Sequence, residues 1–288
     1  MKLALGTVQF GKTYGIANTR GQVNAKEVQA ILELARIKGV DTLDTAISYG
    51  ESEACLGQCG VNNFKVVTKL PDIPENIVNV NAWVHEQVNA SLIRLKQKSL
   101  YGLLMHRSQQ LIDPFLKSLV DSLEDLKAEG LVEKIGVSVY SPSELEDVMK
   151  FCSIDMVQAP FNLVDQRLST SGWLKNLYSA GIEIHIRSVF LQGLLLMSRS
   201  KIPSKFQTWS QLWDEWHRWL KSHSISPVQA CISFLQAFPQ IDRVIVGVES
   251  PQQLSQILDA ASNPMNVLWP DISSADENLI NPYNWSSI

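Results

Sequence analysis

The sequence predicts an α/β fold in which eight parallel strands close into a (β/α)8 barrel, over a single domain that spans residues 1–288. Short apolar runs alternate with amphipathic segments of helical period, which indicates a parallel sheet with both faces covered by helices. Eight such units in about 260 residues fit a closed barrel better than an open sheet. The first apolar run ends in residues 6–11, GTVQFG, which is not the G-x-G-x-x-G turn that an open dinucleotide-binding sheet places there.

The strands are expected at 3–5, 40–44, 64–69, 100–106, 134–139, 156–160, 182–189 and 244–248. The first long helix is expected to begin at Asn24, which with Glu27 has the pattern of a capping box, and to end at Gly39. The later helices are expected at about 51–57, 78–95, 114–129, 142–151, 171–180, 227–237 and 251–261. A long excursion, 195–224, follows the seventh strand, and residues 262–288 form a C-terminal tail.

Composition narrows the class of protein. The chain is 45% hydrophobic and 19% charged, with a net charge of −4 and no run of Lys or Arg, so nothing indicates a nucleic-acid partner. No apolar run approaches the ~20 residues of a membrane span, and the N-terminus is too short for a signal sequence. Four cysteines without metal-ligand spacing predict reduced thiols and no metal site. We expect a cytoplasmic protein whose oligomeric state stays open.

Polar side chains end three consecutive apolar runs, and a tyrosine follows the first of them. The second strand ends in Asp44, the third in Lys69 and the fourth in His106, while Tyr49 lies in the loop after Asp44. Because barrel active sites are built at the C-terminal ends of the strands, these four side chains are expected to lie together.

The chemistry of this quartet points to carbonyl reduction. A tyrosine has an ordinary pKa near ~10, and a neighbouring lysine ammonium, itself kept charged by a carboxylate, lowers it. Such a phenol can pass a proton to or from a substrate oxygen, while His106 orients the carbonyl. The hydride would come from a cofactor. The alternative is a structural role, in which Lys69 and Asp44 form only a buried ion pair and His106 is a core residue.

The ordered motifs resemble the aldo/keto reductase family. They include residues 5–11 (LGTVQFG), 44–53 (DTAISYGESE), 67–69 (VTK), 104–106 (LMH), 134–138 (KIGVS), 157–162 (VQAPFN) and 246–254 (VGVESPQQL). The resemblance covers about residues 3–260 and implies a TIM barrel. It implies that Tyr49 is the general acid, that Lys69 and Asp44 tune its pKa, and that His106 orients the substrate.

The resemblance also implies an NADP or NAD site. Ser138 and Gln158 match the pair that holds the nicotinamide carboxamide, and backbone groups of 188–193 would cradle the pyrophosphate. The full set of implied cofactor residues is Gly6, Thr7, Val8, Asp44, Ser138, Gln158, Arg187, Ser188, Val189, Phe190, Leu191, Gly193, Gly247, Val248, Glu249 and Gln253.

Three positions depart from the family pattern. Val139 stands where the family often has an asparagine after Ser138, so the resemblance implies one carboxamide contact fewer. Arg187 stands where the family usually offers an aromatic ring to stack on the nicotinamide. Its guanidinium could stack there, meet the pyrophosphate, or form a salt bridge with a loop acid. After the last strand, Glu249 stands in a run without Lys or Arg, where many members clamp the 2′-phosphate of NADP. This predicts that the protein tolerates or prefers NAD(H).

The leading hypothesis is an NAD(P)-dependent oxidoreductase that acts on an aldehyde, ketone or sugar carbonyl. The alternatives are a regulatory barrel that binds the nucleotide without efficient turnover, and a non-redox barrel lyase or isomerase. The substrate, the physiological direction and the cofactor preference stay open. Trp213, Trp216 and Leu220 share a helical face, which favours a role in covering the core, although one tryptophan of the excursion (Trp209, Trp213, Trp216 or Trp219) could wall the substrate pocket. Phe10, Tyr14, Phe161, Trp269, Tyr283 and Trp285 are similar candidates.

Overall fold

A computed structural model describes residues 2–113 and 116–288 of the chain. In these residues, eight parallel strands form one closed barrel in sequence order, with β1 paired to β8. Their bounds are β1 Leu3–Gly6, β2 Thr42–Asp44, β3 Lys65–Leu70, β4 Leu100–Met105, β5 Val132–Ser138, β6 Met156–Pro160, β7 Glu183–Arg187 and β8 Arg243–Gly247. The predicted (β/α)8 barrel is confirmed.

Helices surround the barrel. Those that follow strands β1 to β6 in the described residues are α1 Val8–Gly11, α2 Ala25–Ile37, α3 Ser52–Cys59, α4 Val80–Leu95, α5 Ser118–Ala128, α6 Ser143–Phe151, α7 Arg167–Thr170 and α8 Trp173–Ser179. After β7 come α9 Ser210–His223 and α10 Pro227–Gln236, and after β8 come α11 Pro251–Ser262 and α12 Glu277–Ile280. Short 3-10 turns lie at Ser108–Leu111, Leu191–Leu196, Arg199–Lys201, Ser204–Trp209 and Pro282–Ser286.

The helix signals in the sequence match the structure closely. The Asn24 side chain accepts a hydrogen bond from the Glu27 amide at 3.0 Å, which confirms Asn24 as the N-cap. The Glu27 carboxylate accepts from the Asn24 side-chain amide at 3.1 Å, not from the backbone N–H as in a full capping box. Pro251 occupies the first turn of α11 as expected. The helix expected at about 114–129 is α5, which begins at Ser118. Positions 114 and 115 lie outside the described residues.

The predicted excursion after β7 contains a helix, α9, whose apolar face packs against the 3-10 turns before it and joins the main hydrophobic core. Trp213 and Trp216 are fully buried, and Trp219 is nearly so. The indole N–H of Trp213 donates to the Phe206 carbonyl and that of Trp216 to the Leu195 carbonyl, so burial leaves neither donor unpaired. These tryptophans are therefore core residues.

The interior of the barrel is packed with side chains below its C-terminal end. Val67, Leu104 and Met156 form a small buried cluster there, separate from the main core between sheet and helices. Gly102 keeps this cluster close, because a Cβ atom at that position would lie 3.3 Å from Met156 and Val67. The cluster forms a floor, so any site at this end opens only toward the loops. No helix in the described residues is long and apolar enough to cross a membrane.

Candidate active site

A cavity of about 610 Å³ opens at the C-terminal ends of the strands. Its size is in the range of small-molecule and cofactor sites. Every predicted site residue except Leu191 and Val248 lines it: Gly6, Thr7, Val8, Asp44, Tyr49, Lys69, His106, Ser138, Gln158, Arg187, Ser188, Val189, Phe190, Gly193, Gly247, Glu249 and Gln253. Leu191 and Val248 are buried in the hydrophobic core instead, so their side chains face away from the cavity.

Lys69 and Asp44 form a buried ion pair at the base of the cavity. The Lys69 ammonium donates to Asp44 Oδ1 at 2.7 Å and to the Thr45 carbonyl at 2.8 Å. The Gln158 amide also donates to Asp44 Oδ1, at 2.6 Å. Burial lowers the pKa of Lys69, and the adjacent Asp44 carboxylate opposes that effect.

Tyr49 lies beside this pair because two loops pack tightly together. The Lys69 ammonium is 5.1 Å from the centroid of the Tyr49 ring, and that ring meets His106 edge to face at 6.0 Å between centroids. A Cβ atom on Gly50 would lie 2.6 Å from the Gly11 carbonyl oxygen, so only glycine allows the loop after β2 to approach the loop after β1 so closely. In the described residues, the Tyr49 hydroxyl has no hydrogen-bond partner, which leaves it free for a ligand.

The pKa of Tyr49 moves in the direction opposite to the one expected from the sequence. Burial raises it first, the Asp44 carboxylate raises it further, and the Arg187 guanidinium lowers it only in part. Arg187, and not Lys69, is the cation that lowers this pKa. Because the net shift is upward, Tyr49 is a protonated phenol at neutral pH.

His106 is neutral at physiological pH. Burial lowers its pKa to about 4, with further lowering by the charges of Lys69 and Arg187. Its Nδ1 lies 3.3 Å from the Ser48 hydroxyl. If Ser48 donates this hydrogen bond, the proton of His106 lies on Nε2, which can then donate to an oxygen in the cavity.

Buried polar contacts hold the loops that carry the quartet. Thr7 donates from its hydroxyl to the Asp44 carbonyl at 2.9 Å, which ties β1 to the end of β2. Glu53, which is 1% exposed, accepts hydrogen bonds from Thr68, Ser91 and Arg94 at 2.6, 2.7 and 2.8 Å. Glu53 thereby ties α3 to the strand that carries Lys69.

Two buried oxygens of the cavity lining have no partner among the described residues and are acceptors of the kind that a nicotinamide carboxamide N–H can meet. In the part of the chain that the structure describes, Gln158 Oε1 and Gln9 Oε1 are buried without a hydrogen-bond partner. A buried unpaired acceptor is costly unless a ligand donor meets it. Gln158 and Ser138 are partners on adjacent strands, so Gln158 can accept from a carboxamide N–H while Ser138 contacts the same group. Gly247 leaves room for the Gln9 side chain, because a Cβ atom at position 247 would lie only 2.5 Å from Gln9 Nε2.

Two loops meet over the cavity. Gln192 donates to the Tyr14 hydroxyl at 3.1 Å, and a Cβ atom at Gly193 would lie 2.4 Å from the Cβ atom of Ala17. Ser188 and Gln192 have φ values of +59° and +51°, a strained conformation for residues with a side chain. This geometry turns the chain sharply after β7 and brings residues 188–193 along the cavity wall.

The Arg187 side chain is held against the cavity wall by two hydrogen bonds and an aromatic ring. Its Nη2 donates to the Val139 carbonyl at 2.9 Å, and its Nη1 donates to the Ser188 hydroxyl at 3.3 Å. Its guanidinium carbon lies 4.5 Å from the centroid of the Tyr140 ring. In the described residues it forms no ion pair, so the predicted alternative of a salt bridge with a loop acid is wrong.

Glu249 lines the cavity two residues after the end of β8. Its amide N–H donates to Gln253 Oε1 at 2.7 Å, which fixes the start of the turn into α11. Burial raises the pKa of its carboxyl, and the charge of Arg20 lowers it in part. Gln256 and Ile257 extend this wall along α11.

The sequence missed several cavity residues. The cavity is also lined by Gln9 of α1, by Lys12 just after α1 and by Tyr140 after β5, and no local sequence pattern reveals their positions. Of the aromatic residues expected as possible walls, Tyr14 lines the cavity, whereas Phe10 and Phe161 are fully buried in the core. The tryptophans and Tyr283, which were also possible walls, are not among the residues that line the cavity. No group of three or more possible metal ligands occurs in residues 2–113 and 116–288.

Comparison with known proteins identifies the family. A sequence model of the aldo/keto reductase family matches residues 2–267. The chain is 26% identical to a Pseudomonas D-threo-aldose 1-dehydrogenase, with 91% of this chain and 92% of that protein covered. It is 22% identical to the NADH-specific methylglyoxal reductase of Escherichia coli K12, with 88% and 86% covered. The aldo-keto reductase AKR11C1 of Bacillus halodurans, solved in its holo form, shares the fold with a TM-score of 0.73, at 19% identity and with 92% and 88% covered.

Proposed function

The chain belongs to the aldo/keto reductase family, and we propose that it is an NAD(P)-dependent oxidoreductase that reduces an aldehyde, ketone or sugar carbonyl or oxidises the matching alcohol. The observation that carries the proposal is the convergence of Asp44, Tyr49, Lys69 and His106 at one end of a cavity of cofactor size. A bound nicotinamide supplies the hydride in this chemistry.

Tyr49 is proposed as the proton donor. Its raised pKa keeps the phenol protonated, and its hydroxyl has no partner in the described protein, so it can donate to a carbonyl oxygen that gains negative charge. His106 is proposed to orient that oxygen through a neutral Nε2–H.

The cofactor is proposed to lie along the wall from Gln158 to Glu249. Ser138 and Gln158 would hold the carboxamide, and the backbone of 188–193 would face the pyrophosphate. Contact by Leu191 and Val248 would be through their backbone only, because both side chains are buried in the core.

Glu249 supports a preference for NAD(H). A carboxylate can accept hydrogen bonds from a ribose diol, and it repels a 2′-phosphate. The relative from Escherichia coli is named as specific for NADH, which agrees with this proposal. Dissociation constants for NADH and NADPH test it: we expect NADH to bind more tightly, and Glu249→Gln to narrow the difference. A hundredfold preference for NADPH would contradict it.

A substrate panel tests the proposed activity. Purified protein is incubated with NADH or NADPH and a set of aldehydes, ketones and sugars, and the loss of absorbance at 340 nm is followed. We expect turnover of at least one carbonyl. Tight cofactor binding without turnover of any carbonyl, or of any alcohol in the reverse direction, would instead support a regulatory barrel that senses the nucleotide.

A further inference from the structure

Arg187 is a cation of the cavity wall that the proposed proton transfer does not use. Its hydrogen bonds go to the neutral groups Val139 and Ser188, and its flat face lies on the Tyr140 ring. In the described residues no carboxylate pairs with it. Its positive charge is thus uncompensated by the protein.

The guanidinium is also fixed in place. Strand β7 ends at Arg187, and the Asn162 side chain donates to the Ser188 carbonyl at 3.0 Å, which holds the strained turn that follows. The backbone that carries the Tyr140 ring is anchored by its amide N–H, which donates to Glu144 at 2.8 Å. A charge held in this way acts on its surroundings without first having to reorganise.

The neighbouring charges do not cancel it. Asp44 already accepts from Lys69 and Gln158. Glu249 forms no ion pair with Arg187 in the described residues, and the charge that acts on its carboxyl is that of Arg20. The reach of Arg187 into the quartet is visible in its effect on pKa values: it lowers those of Tyr49, Lys69 and His106.

The proposed function places the nicotinamide near this charge, and the inference rests on that proposed function. A hydride must reach the carbonyl carbon, whose oxygen lies within hydrogen-bond reach of Tyr49 and His106. The ring that donates the hydride must therefore lie beside the quartet, at the end of the cavity where Arg187 ends β7. The oxidised ring carries a positive charge, whereas the reduced ring is neutral.

We propose that the Arg187 guanidinium makes the site discriminate between the two redox states of its cofactor, so that the reduced dinucleotide binds more tightly than the oxidised one. Tighter binding of the reduced form makes the bound oxidised form a stronger hydride acceptor. When an alcohol passes a hydride from its carbon to the cofactor and a proton from its hydroxyl to deprotonated Tyr49, the equilibrium on the protein is shifted toward carbonyl and reduced cofactor. Arg187 is thus a determinant of the internal equilibrium.

The size of the effect follows from Coulomb's law. Two unit charges about 5 Å apart at an effective dielectric constant of ~20 interact strongly enough to change a binding ratio by more than tenfold. Arg187 is partly exposed, and solvent screening reduces this. We therefore expect a discrimination of about tenfold.

Isothermal titration calorimetry tests the proposal with three ligands: NADH, NAD⁺ and ADP-ribose, which has the pyrophosphate but no nicotinamide. If NADPH binds more tightly than NADH, the NADP pair and the 2′-phosphorylated ADP-ribose replace them. For the unchanged protein we expect the reduced form to bind about tenfold more tightly than the oxidised form. Equal affinity of the two forms would overturn the proposal, whatever the variants do.

Two variants separate charge from shape. Arg187→Gln should reduce the ratio by about tenfold, mainly through tighter NAD⁺ binding, and leave ADP-ribose affinity unchanged. Arg187→Lys keeps the charge and should keep most of the ratio. If Arg187→Gln weakens all three ligands equally, Arg187 binds the pyrophosphate and the proposal is wrong. If none of the ligands binds the unchanged protein, the proposed function itself fails, which is a different result from a ratio of one.

Discussion

A Cβ atom at position 11 would lie 1.8 Å from the carbonyl oxygen of Tyr49, so the backbone of Gly11 is in direct contact with the backbone that carries the proposed proton donor. The same atom would also lie 2.5 Å from the Ser52 amide nitrogen, at the start of α3. A side chain at position 11 would therefore move the whole loop from Tyr49 to Ser52. Gly11 fixes where the phenol sits relative to Lys69.

We expect Gly11→Ala to reduce both activity and stability. The added methyl group must displace backbone atoms, which costs about 1–3 kcal/mol. A shift of Tyr49 by about 1 Å should lower kcat by about a hundredfold. Steady-state kinetics and urea unfolding measure the two effects. Gly39→Ala is the control, because nothing lies within 4 Å of a Cβ atom there and only its φ of +75° is unfavourable; it should lose some stability but no activity. A Gly11→Ala protein with unchanged kcat would contradict the assignment of Gly11.

Lys69→Met should destabilise the protein, because the buried Asp44 carboxylate then keeps only its hydrogen bond from the Gln158 amide. Breaking a buried ion pair on one side costs about 3–5 kcal/mol. The double variant Lys69→Met/Asp44→Asn removes both charges, so its loss of unfolding free energy should be clearly smaller than the sum of the two single losses. Urea unfolding of the four proteins measures the coupling. Additive losses would show that the two charges do not stabilise each other.

His106 should make stability depend on pH. Its folded pKa of about 4 is below the unfolded value of ~6.5, so the unfolded chain binds more protons between these values. The contribution of neutral His106 is therefore complete above pH ~6.5 and is lost as pH falls toward ~4, by about 2–3 kcal/mol in total.

His106→Gln isolates this contribution, because glutamine does not titrate. The difference in unfolding free energy between pH 7 and pH 4.5 should be about 2 kcal/mol smaller in His106→Gln than in the unchanged protein. Circular dichroism during urea unfolding at the two pH values provides the measurement. Identical pH dependence in both proteins would mean that His106 does not have the lowered pKa.

Much of this site was predictable because its residues end strands. Asp44, Lys69 and His106 each follow an apolar run, and the barrel topology then requires that they converge at one end. Tyr49 could be added because the loop after β2 is short. The fold followed from periodicity and from capping signals such as Asn24 with Glu27, which depend on nearby residues only.

What the sequence could not provide depends on contacts between distant units. Two partners of Arg187 come from the loop after β5: Tyr140 lies 47 residues before it in the chain and Val139 lies 48 residues before it. The pKa of Tyr49 depends on burial and on the charges of Asp44 and Arg187 around it, and neither can be read from spacing. Phe10 and Phe161 have the composition expected of pocket walls, but their side chains point into the core.

The central claim is that Tyr49 donates the proton, and Tyr49→Phe tests it most directly. The substitution removes one hydroxyl from a ring whose position is fixed by Gly11, Gly50 and His106, so cofactor binding should stay within a fewfold of normal. With a carbonyl that the unchanged protein reduces, we expect kcat, followed at 340 nm, to fall by about 10²–10⁴-fold. A Tyr49→Phe protein that binds the dinucleotide and reduces the same carbonyl at an undiminished rate would contradict the mechanism.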